Sequence, residues 1–325
     1  MAIGCRHSAG LSPPRSIRKF VPGSANRGNP SMISTHMKTK SMMATPGKRI
    51  RLKDFDPAFK GGYASHALAQ SKLKANVQRL AKYQDLLYSS HTYALLLVLQ
   101  AMDAAGKDGT IKHVMSGVNP EGCEVLSFKT PSEHELSHDF LWRIYRELPQ
   151  RGHIGIFNRS YYEEVLVVRV HPDLLKPEHL PGFTAPSKKF WQHRFESIND
   201  VERHLVRNGT LILKFFLHVS KEEQEKRFLE RLNDPKKNWK FSEGDLHERL
   251  RWDDYMAAYE DMINHTSTEQ APWYIIPADH KWFTHLTVSN IVVDTLKKMD
   301  LKYPTPTNPQ RAQIALAREA LQRGK

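Results

Sequence analysis

The residues most able to perform chemistry lie in one short stretch, AMDAAGKDG, from Ala101 to Gly109. It nearly matches the pattern G-x4-G-K-[ST], whose backbone N–H groups and lysine surround phosphate oxygens at the start of a helix. Ala101 replaces the first glycine of that pattern, and Asp108 replaces the hydroxyl residue that usually binds Mg²⁺. The stretch predicts a phosphate-binding loop, and an ordinary strand-to-helix turn is the alternative.

Asp103 stands inside this loop, where phosphate groups would lie. A carboxylate that faces a polyanion costs free energy unless a divalent cation lies between them. We therefore predict that Asp103 holds Mg²⁺ (or Mn²⁺) and that Lys107 supplies a positive charge that bridges phosphate groups.

The elements around the loop predict where it lies in the fold. Residues 92–99 (TYALLLVL) form a continuous apolar run, which is typical of a strand buried on both faces. Shorter apolar runs lie at residues 125–128, 154–157, 210–219 and 273–276. Helical patterns lie at residues 67–87, 133–148, 188–207, 221–232, 246–263 and 286–299. Strands that alternate with helices predict an α/β fold with a parallel sheet, whose ligands bind at the carboxyl ends of the strands.

Several segments of the chain are distinctive enough to compare with known families. They read QAMDAAGKDGTIKHVMSGVNP at residues 100–120, HDFLWR at 138–143, IFNRSYYEEVL at 156–166, DPKKNWKF at 234–241, WDDY at 252–255 and PADHKWF at 277–283. Together they closely resemble the polyphosphate kinase 2 family, in its branch of polyphosphate:nucleotide phosphotransferases. The resemblance covers residues 50–304, nearly all of the chain outside its two ends.

This resemblance implies a P-loop kinase-like parallel sheet sandwiched by helices, with a helical lid near residues 227–260 and an N-terminal helical extension. It also implies an Mg²⁺-dependent, reversible enzyme that moves the terminal phosphoryl group of inorganic polyphosphate to a nucleoside mono- or diphosphate. The expected partners are polyphosphate, AMP, ADP and ATP. The choice between AMP and ADP as acceptor stays open at this point.

Two further segments carry candidate site residues. Arg159 follows the strand predicted at 154–157, so it should lie at the sheet edge beside the loop, where a planar guanidinium can bind phosphate oxygens. Asn158 stands where many relatives of the family carry aspartate, so one metal-side carboxylate is either absent or supplied by Glu163. Asp253 and Asp254 are candidates for a metal or nucleotide contact, with a plain helix surface as the alternative.

Arg227 and Arg231 lie four residues apart, on one face of a predicted helix. A lid there could bring both charges onto a polyphosphate chain, whereas a solvated face paired with Glu223 or Glu230 is the alternative. The predicted catalytic residues are thus Asp103, Lys107 and Arg159; the phosphate-binding residues are Ala104, Ala105, Gly106, Lys107, Asp108, Gly109, Lys112, Arg227 and Arg231; and the metal ligands are Asp103, Asn158, Glu163, Asp253 and Asp254.

A second motif points to different chemistry. His134 and His138 form an H-E-x-x-H match, the arrangement by which zinc proteases place two histidines on one helix face. The longer zinc-protease pattern then requires a glycine and a third histidine, and Leu141 and Ile144 occupy those positions. A zinc metalloprotease is therefore the weaker alternative function.

The net charge of +13 lies almost entirely at the two ends of the 325-residue chain. Residues 1–50 hold nine Lys/Arg and no acid, and residues 305–325 add +3, which leaves +1 for residues 51–304. Such ends are more often solvated tails than nucleic-acid arms. We predict a disordered basic extension at 1–48, a phosphotransferase domain at 49–304 and a basic tail at 305–325, with no specific nucleic acid as partner. A basic nucleic-acid-binding protein is the alternative function, and a targeting segment or a later start is the alternative for the extension.

Composition limits the remaining classes. Hydrophobic residues make up 40% and charged residues 26%, a globular balance. The longest apolar run, residues 93–99, is far shorter than the roughly 20 residues of a membrane helix, so we predict no membrane partner. Cys5 and Cys123 alone cannot form a disulfide framework or a zinc site. We expect a cytoplasmic homo-oligomer.

Overall fold

The strand predicted at residues 92–99 is the central strand of a five-stranded sheet in the computed structural model, which describes residues 39–63 and 66–324. The strands are β1 Ala94–Gln100, β2 Cys123–Ser127, β3 Ile154–Asn158, β4 Thr210–His218 and β5 Trp273–Pro277. Their order is β2-β3-β1-β4-β5, and every neighbouring pair is parallel. β1 is buried at every position, which explains why its sequence is continuously apolar rather than alternating.

Helices cover both faces of this sheet. Those that the structure describes are α1 His66–Ser90, α2 Lys107–Val114, α3 Glu133–Leu136, α4 Trp142–Tyr145, α5 Val167–Val170, α6 Lys188–Arg207, α7 Lys221–Asn233, α8 Glu243–Leu250, α9 Trp252–Thr266, α10 Lys281–Lys298 and α11 Asn308–Arg323. α1 and α2 pack against α10, which contacts β4 and β5, while α6 packs against β4 and α9. The predicted α/β architecture, with its N-terminal helix, is confirmed.

Two helices that the sequence predicts as continuous are each broken in two. The pattern at residues 133–148 becomes α3 and α4, because the Asp139 carboxylate accepts a hydrogen bond from the Leu141 N–H (2.9 Å) and starts a new helix. The pattern at residues 246–263 becomes α8 and α9, which meet at Arg251. Apolar spacing continues across both breaks, so periodicity alone does not detect them.

Residues 42–44 pack on the domain, within the segment 1–48 for which the sequence predicts a disordered extension. The Ala44 N–H donates to the Trp273 carbonyl (2.9 Å), and Met43 forms an antiparallel bridge with Tyr274. Met42 and Ala44 are buried. They cover the outer edge of β5, whose backbone groups would otherwise lack partners. The extension is expected at residues 1–48, and its residues 1–38 lie outside the described residues.

The predicted basic tail contains a helix that the sequence analysis missed. α11 begins with a capping box, in which the Thr307 hydroxyl accepts from the Gln310 N–H while the Gln310 side chain accepts from the Thr307 N–H. α11 has no buried residue. Among the described helices, none is long and apolar enough to cross a membrane.

Candidate active site

The phosphate loop, residues 101–109, joins the carboxyl end of β1 to α2 at the middle of the sheet. Gly106 precedes α2 with φ of 106°, and Ala104 has φ of 60°. The left-handed region costs a non-glycine residue roughly 1–2 kcal/mol, so surrounding contacts must hold Ala104 there. Ala101 has no positive φ, so this loop does not require the glycine that the sequence pattern has at that position.

Those surrounding contacts come from α7. The Gln224 side-chain amide donates to the Asp103 carbonyl (2.9 Å). The buried Arg227 guanidinium donates to the carbonyls of Ala104 (3.0 Å) and Ala105 (2.9 Å), and also to those of two residues after β5, Ala278 (2.6 Å) and Asp279 (3.1 Å). α7 therefore ties the phosphate loop to the end of β5 through backbone carbonyls.

Lys107, the first residue of α2, is buried at the base of the loop. Its Nζ donates to the carbonyls of Ala101 (2.7 Å) and Met102 (3.3 Å), which uses two of its three N–H donors. Burial lowers the pKa of Lys107, and the negative charge of Asp103 opposes that shift. The loop thus holds a desolvated cation with one donor left for a phosphate oxygen.

Arg159 reaches the loop from the end of β3, the strand next to β1. Its Nη2 donates to Asp103 Oδ1 (2.8 Å), and its backbone N–H donates to the Leu99 carbonyl (3.1 Å). Arg159 itself has φ of 62°, a second strained position in the same place. Asn158 Nδ2 donates to Asp108 Oδ1 (2.8 Å). The residues at the end of β3 therefore lie in hydrogen-bond contact with the phosphate loop, as the sequence predicts.

A buried hydrogen-bond network anchors the segment that follows Arg159. The hydroxyls of Tyr161 and Tyr162 donate to Glu202 Oε1 at 2.8 and 2.7 Å, and Lys214 Nζ donates to Glu202 Oε2 at 2.6 Å. Lys214 also donates to the Thr266 carbonyl (2.7 Å). Because both charges are paired and hydrogen-bonded, the cost of burying them is offset and the segment is fixed.

A cavity of about 580 Å³ opens above the phosphate loop. Its lining is mostly charged, with eight Lys/Arg against four Asp/Glu. The basic residues are Lys107, Lys129, Arg159, Arg227, Arg231, Lys237, Lys240 and Lys281, and the acidic ones are Asp103, Asp108, Glu230 and Asp245. The excess positive charge favours a polyanionic ligand.

Several of these residues were missed by the sequence analysis. Lys237 and Lys240 lie in the DPKKNWKF segment and Lys281 in PADHKWF, so these motifs contained a signal that was not assigned to a site. Lys129 directly follows the strand predicted at residues 125–128, the same kind of signal that located Arg159, and this signal was not used. Asp245 pairs with Arg231 (3.3 Å), and burial together with the charge of Asp103 raises the pKa of Asp245.

Other predicted residues are not brought to the cavity. Asp253 and Asp254 are exposed in the first turn of α9, where Asp254 pairs with Arg251 (3.6 Å). Lys112 is exposed on α2, and the side chain of Ala105, within the loop itself, is buried. Glu163 does not line the cavity; burial raises its pKa, and the charges of Arg159 and Lys107 oppose that shift.

The H-E-x-x-H match does not form a metal site. α3 ends at Leu136, so His134 and His138 do not share one continuous helix. His138 Nδ1 lies 2.8 Å from the His134 carbonyl, and its ring stacks on Trp142. Within residues 39–63 and 66–324, no three His, Cys, Asp or Glu side chains are grouped to hold a metal ion.

An α/β fold with a charged cavity over the loop that follows its central strand is the arrangement typical of phosphotransferases. The family model "Polyphosphate kinase 2 (PPK2)" matches residues 63–304, and the chain belongs to that family. It is 50% identical over 285 residues to the ADP-polyphosphate phosphotransferase of Rhodopseudomonas palustris, covering 88% of this chain and 99% of that protein. It is 48% identical over 271 residues to the AMP/ADP-polyphosphate phosphotransferase of Meiothermus ruber, covering 82% and 96%.

A solved structure agrees with the same family. The crystal structure of polyphosphate kinase 2 from Arthrobacter aurescens superposes with a TM-score of 0.78 at 39% identity, over 86% of this chain and 96% of that one. The resemblance inferred from the sequence is confirmed, and with it the expected enzyme class, a kinase.

Proposed function

We propose that this chain transfers the terminal phosphoryl group of inorganic polyphosphate to AMP, ADP or both, and catalyses the reverse reaction. The observation that carries the proposal is the cavity whose floor is the phosphate loop and whose walls carry eight cationic side chains. Curated relatives that match nearly their whole length are named ADP- and AMP/ADP-polyphosphate phosphotransferases, which supports the same donor and acceptors.

Phosphoryl transfer requires positioning and charge stabilisation more than covalent chemistry from the protein. Lys107 and Arg159 are the proposed groups that stabilise negative charge on the transferred phosphoryl group, because each lies at the loop and each is already oriented by a carbonyl or carboxylate. A bound phosphate must replace Asp103 as the hydrogen-bond partner of Arg159. In the free enzyme, Asp103 therefore pairs with the guanidinium that later binds phosphate.

The donors near the loop fit Mg²⁺ or Mn²⁺. Asp103 and Asp108 carboxylates and the Asn158 amide line one cavity, and hard oxygen donors are what these ions prefer. Because the described side chains form no complete set of metal ligands, phosphate oxygens would supply the rest, as is usual for Mg²⁺ in kinases. When bound, the ion would neutralise charge on the phosphates. Asp103 and Asp108 are its proposed holders, and Asp253 and Asp254 are not.

We place the lid at residues 231–251, a shorter segment than the predicted 227–260. Arg227 is fixed by four carbonyls at one end, and α9 buries Trp252, Tyr255 and Tyr259 at the other. Between them, the turn Asn238–Lys240 and α8 contain no buried residue. Only this intervening part is free of core packing and able to close over substrate.

The test is an acceptor panel with polyphosphate as sole donor and Mg²⁺ present. Wild-type protein should form ADP from AMP or ATP from ADP, and chelation of the metal should stop transfer. Absence of product from both acceptors with either metal would refute the function. The cytoplasmic location and the homo-oligomeric state stay predictions.

Variants test the assignment of residues. Asp103→Asn and Lys107→Ala should each lower turnover at least about a hundredfold, because each removes a charge from a preorganised site. Asp253→Asn is the matched control, an exposed aspartate outside the cavity, and should keep wild-type turnover. Equal losses of turnover in Asp103→Asn and Asp253→Asn would contradict the proposal that Asp103, and not Asp253, holds the metal ion.

A further inference from the structure

Trp239 is an unusual member of the cavity lining. Of the two aromatic side chains there, Phe128 is buried with its edge against Phe157, whereas Trp239 is 78% exposed. Lys240 Nζ lies 5.0 Å from the centroid of the Trp239 ring, and the indole contacts no other aromatic ring among the described residues. The cavity therefore offers a large, open π surface among its cations.

The turn that carries this indole is firmly held. The Asn238 side-chain amide donates to the carbonyls of Arg231 (2.8 Å) and Leu232 (2.9 Å), so it caps the end of α7. The Lys240 N–H donates to the Lys237 carbonyl (2.9 Å), which closes the turn. Trp239 is thus exposed on a hydrogen-bonded turn at the end of α7, within the lid placed at residues 231–251.

Inorganic polyphosphate has no aromatic or apolar surface, so the π face of an exposed indole gains nothing from it, and only the indole N–H could donate to a phosphate oxygen. The nucleotide acceptor has such a surface in its base, and stacking on an aromatic side chain is a common way to bind a base. We propose that Trp239 stacks on the base of the acceptor nucleotide, with Lys237 and Lys240 beside it for the phosphates. This inference rests on the proposed function, because it takes the nucleotide to enter this cavity.

Stacking carries a consequence for specificity. Every base has a π face, so a stacking platform tolerates different bases and ranks them by the size of that face. Adenine and guanine nucleotides should therefore serve as acceptors with similar KM, and pyrimidine nucleotides should have a higher KM.

The test measures KM for ADP and for polyphosphate separately in three variants. Trp239→Ala should raise the KM for ADP about tenfold, equal to about 1.4 kcal/mol, and leave the KM for polyphosphate unchanged. Trp239→Phe should restore most of the ADP affinity because it restores an aromatic face. Leu316→Ala, which removes a 67% exposed apolar residue of α11 outside both the cavity and the lid, is the matched control and should behave as wild type.

A binding measurement separates this inference from the proposed function. ADP should quench tryptophan fluorescence of wild-type protein, inorganic tripolyphosphate should not, and the quench should be lost in Trp239→Phe. An unchanged KM for ADP in Trp239→Ala, an equal rise in the KM for polyphosphate, or a quench that persists in Trp239→Phe would overturn the role of Trp239. Failure of the wild type to transfer phosphate would instead refute the function, and the ADP titration would still decide whether Trp239 meets the base.

Discussion

Replacing Arg227 by alanine should displace the phosphate loop, because the loop loses its hydrogen bonds to α7, rather than remove a direct contact with phosphate. Its guanidinium, whose side chain is only 3% exposed, donates to two carbonyls of the loop and two after β5 at 2.6–3.1 Å. Lysine cannot replace it, because one ammonium group does not span two separate chain segments as the guanidinium fork does.

The magnitude follows from those contacts. Removing one partner of a buried, charged hydrogen-bond group costs roughly 3–5 kcal/mol. The Ala104 and Ala105 carbonyls adjoin the cavity and can be rehydrated, so we expect the lower value of about 3 kcal/mol. For a domain of this size that lowers Tm by roughly 6–12 °C. Loss of the loop's position should also lower kcat about a hundredfold, as small misplacements of reacting groups do.

The comparison is with Arg231→Ala, four residues further along α7. Arg231 lines the same cavity but pairs only with Asp245 on its protein side, with 22% of its side chain exposed. Its removal should leave Tm within about 2 °C of wild type and raise the KM for polyphosphate. Thermal unfolding and steady-state kinetics with varied polyphosphate measure both effects.

The opposite pattern would refute the reasoning. If Arg227→Ala unfolded at the wild-type temperature and changed only the KM for polyphosphate, Arg227 would be a phosphate contact in the working enzyme. The four carbonyl contacts would then not be what holds the loop.

Three further predictions concern other parts of the molecule. Ala104→Gly should raise the free energy of unfolding by up to about 1 kcal/mol and retain activity, because glycine adopts the left-handed conformation of this position without strain. Ala101→Gly should lower the free energy of unfolding slightly, because Ala101 has no positive φ. Urea unfolding of both variants measures the difference. A chain that begins at residue 49 should melt at a lower temperature than one that begins at residue 39, since it lacks the buried Met42 and Ala44; equal melting would contradict the edge-covering role. Burial lowers the pKa of His285 from 6.5 to about 4, so the folded state binds fewer protons than the unfolded state between these values, and stability falls as pH falls through that range. At pH 5 this amounts to about 2 kcal/mol, and His285→Asn should lose much less stability between pH 7 and pH 5 than wild type does.

Local sequence determined the central strand of this protein and the phosphate loop that follows it. A continuous apolar strand followed by a loop with glycine and lysine fixes the position of Lys107, because strand, loop and helix start are neighbours along the chain. Arg159 was predictable for a similar reason, since it follows another strand and parallel strands end at one edge of the sheet. The alternation of strands and helices likewise determined the α/β class before any contact was known.

Only the tertiary structure decided which face of each helix meets the site. Arg227 and Arg231 share a helical face in the sequence and both line the cavity, yet Arg227 is buried against backbone carbonyls whereas Arg231 is partly exposed and pairs with Asp245. Trp239 reaches the cavity from a turn that follows no strand and lies more than a hundred residues after the phosphate loop, a relation that no local pattern encodes. Asp253 fails to reach it because α9 starts after a break at Arg251 and buries Trp252 and Tyr255, which leaves Asp253 exposed to solvent. Periodicity reports which residues are apolar, and packing alone determines what the polar residues between them contact.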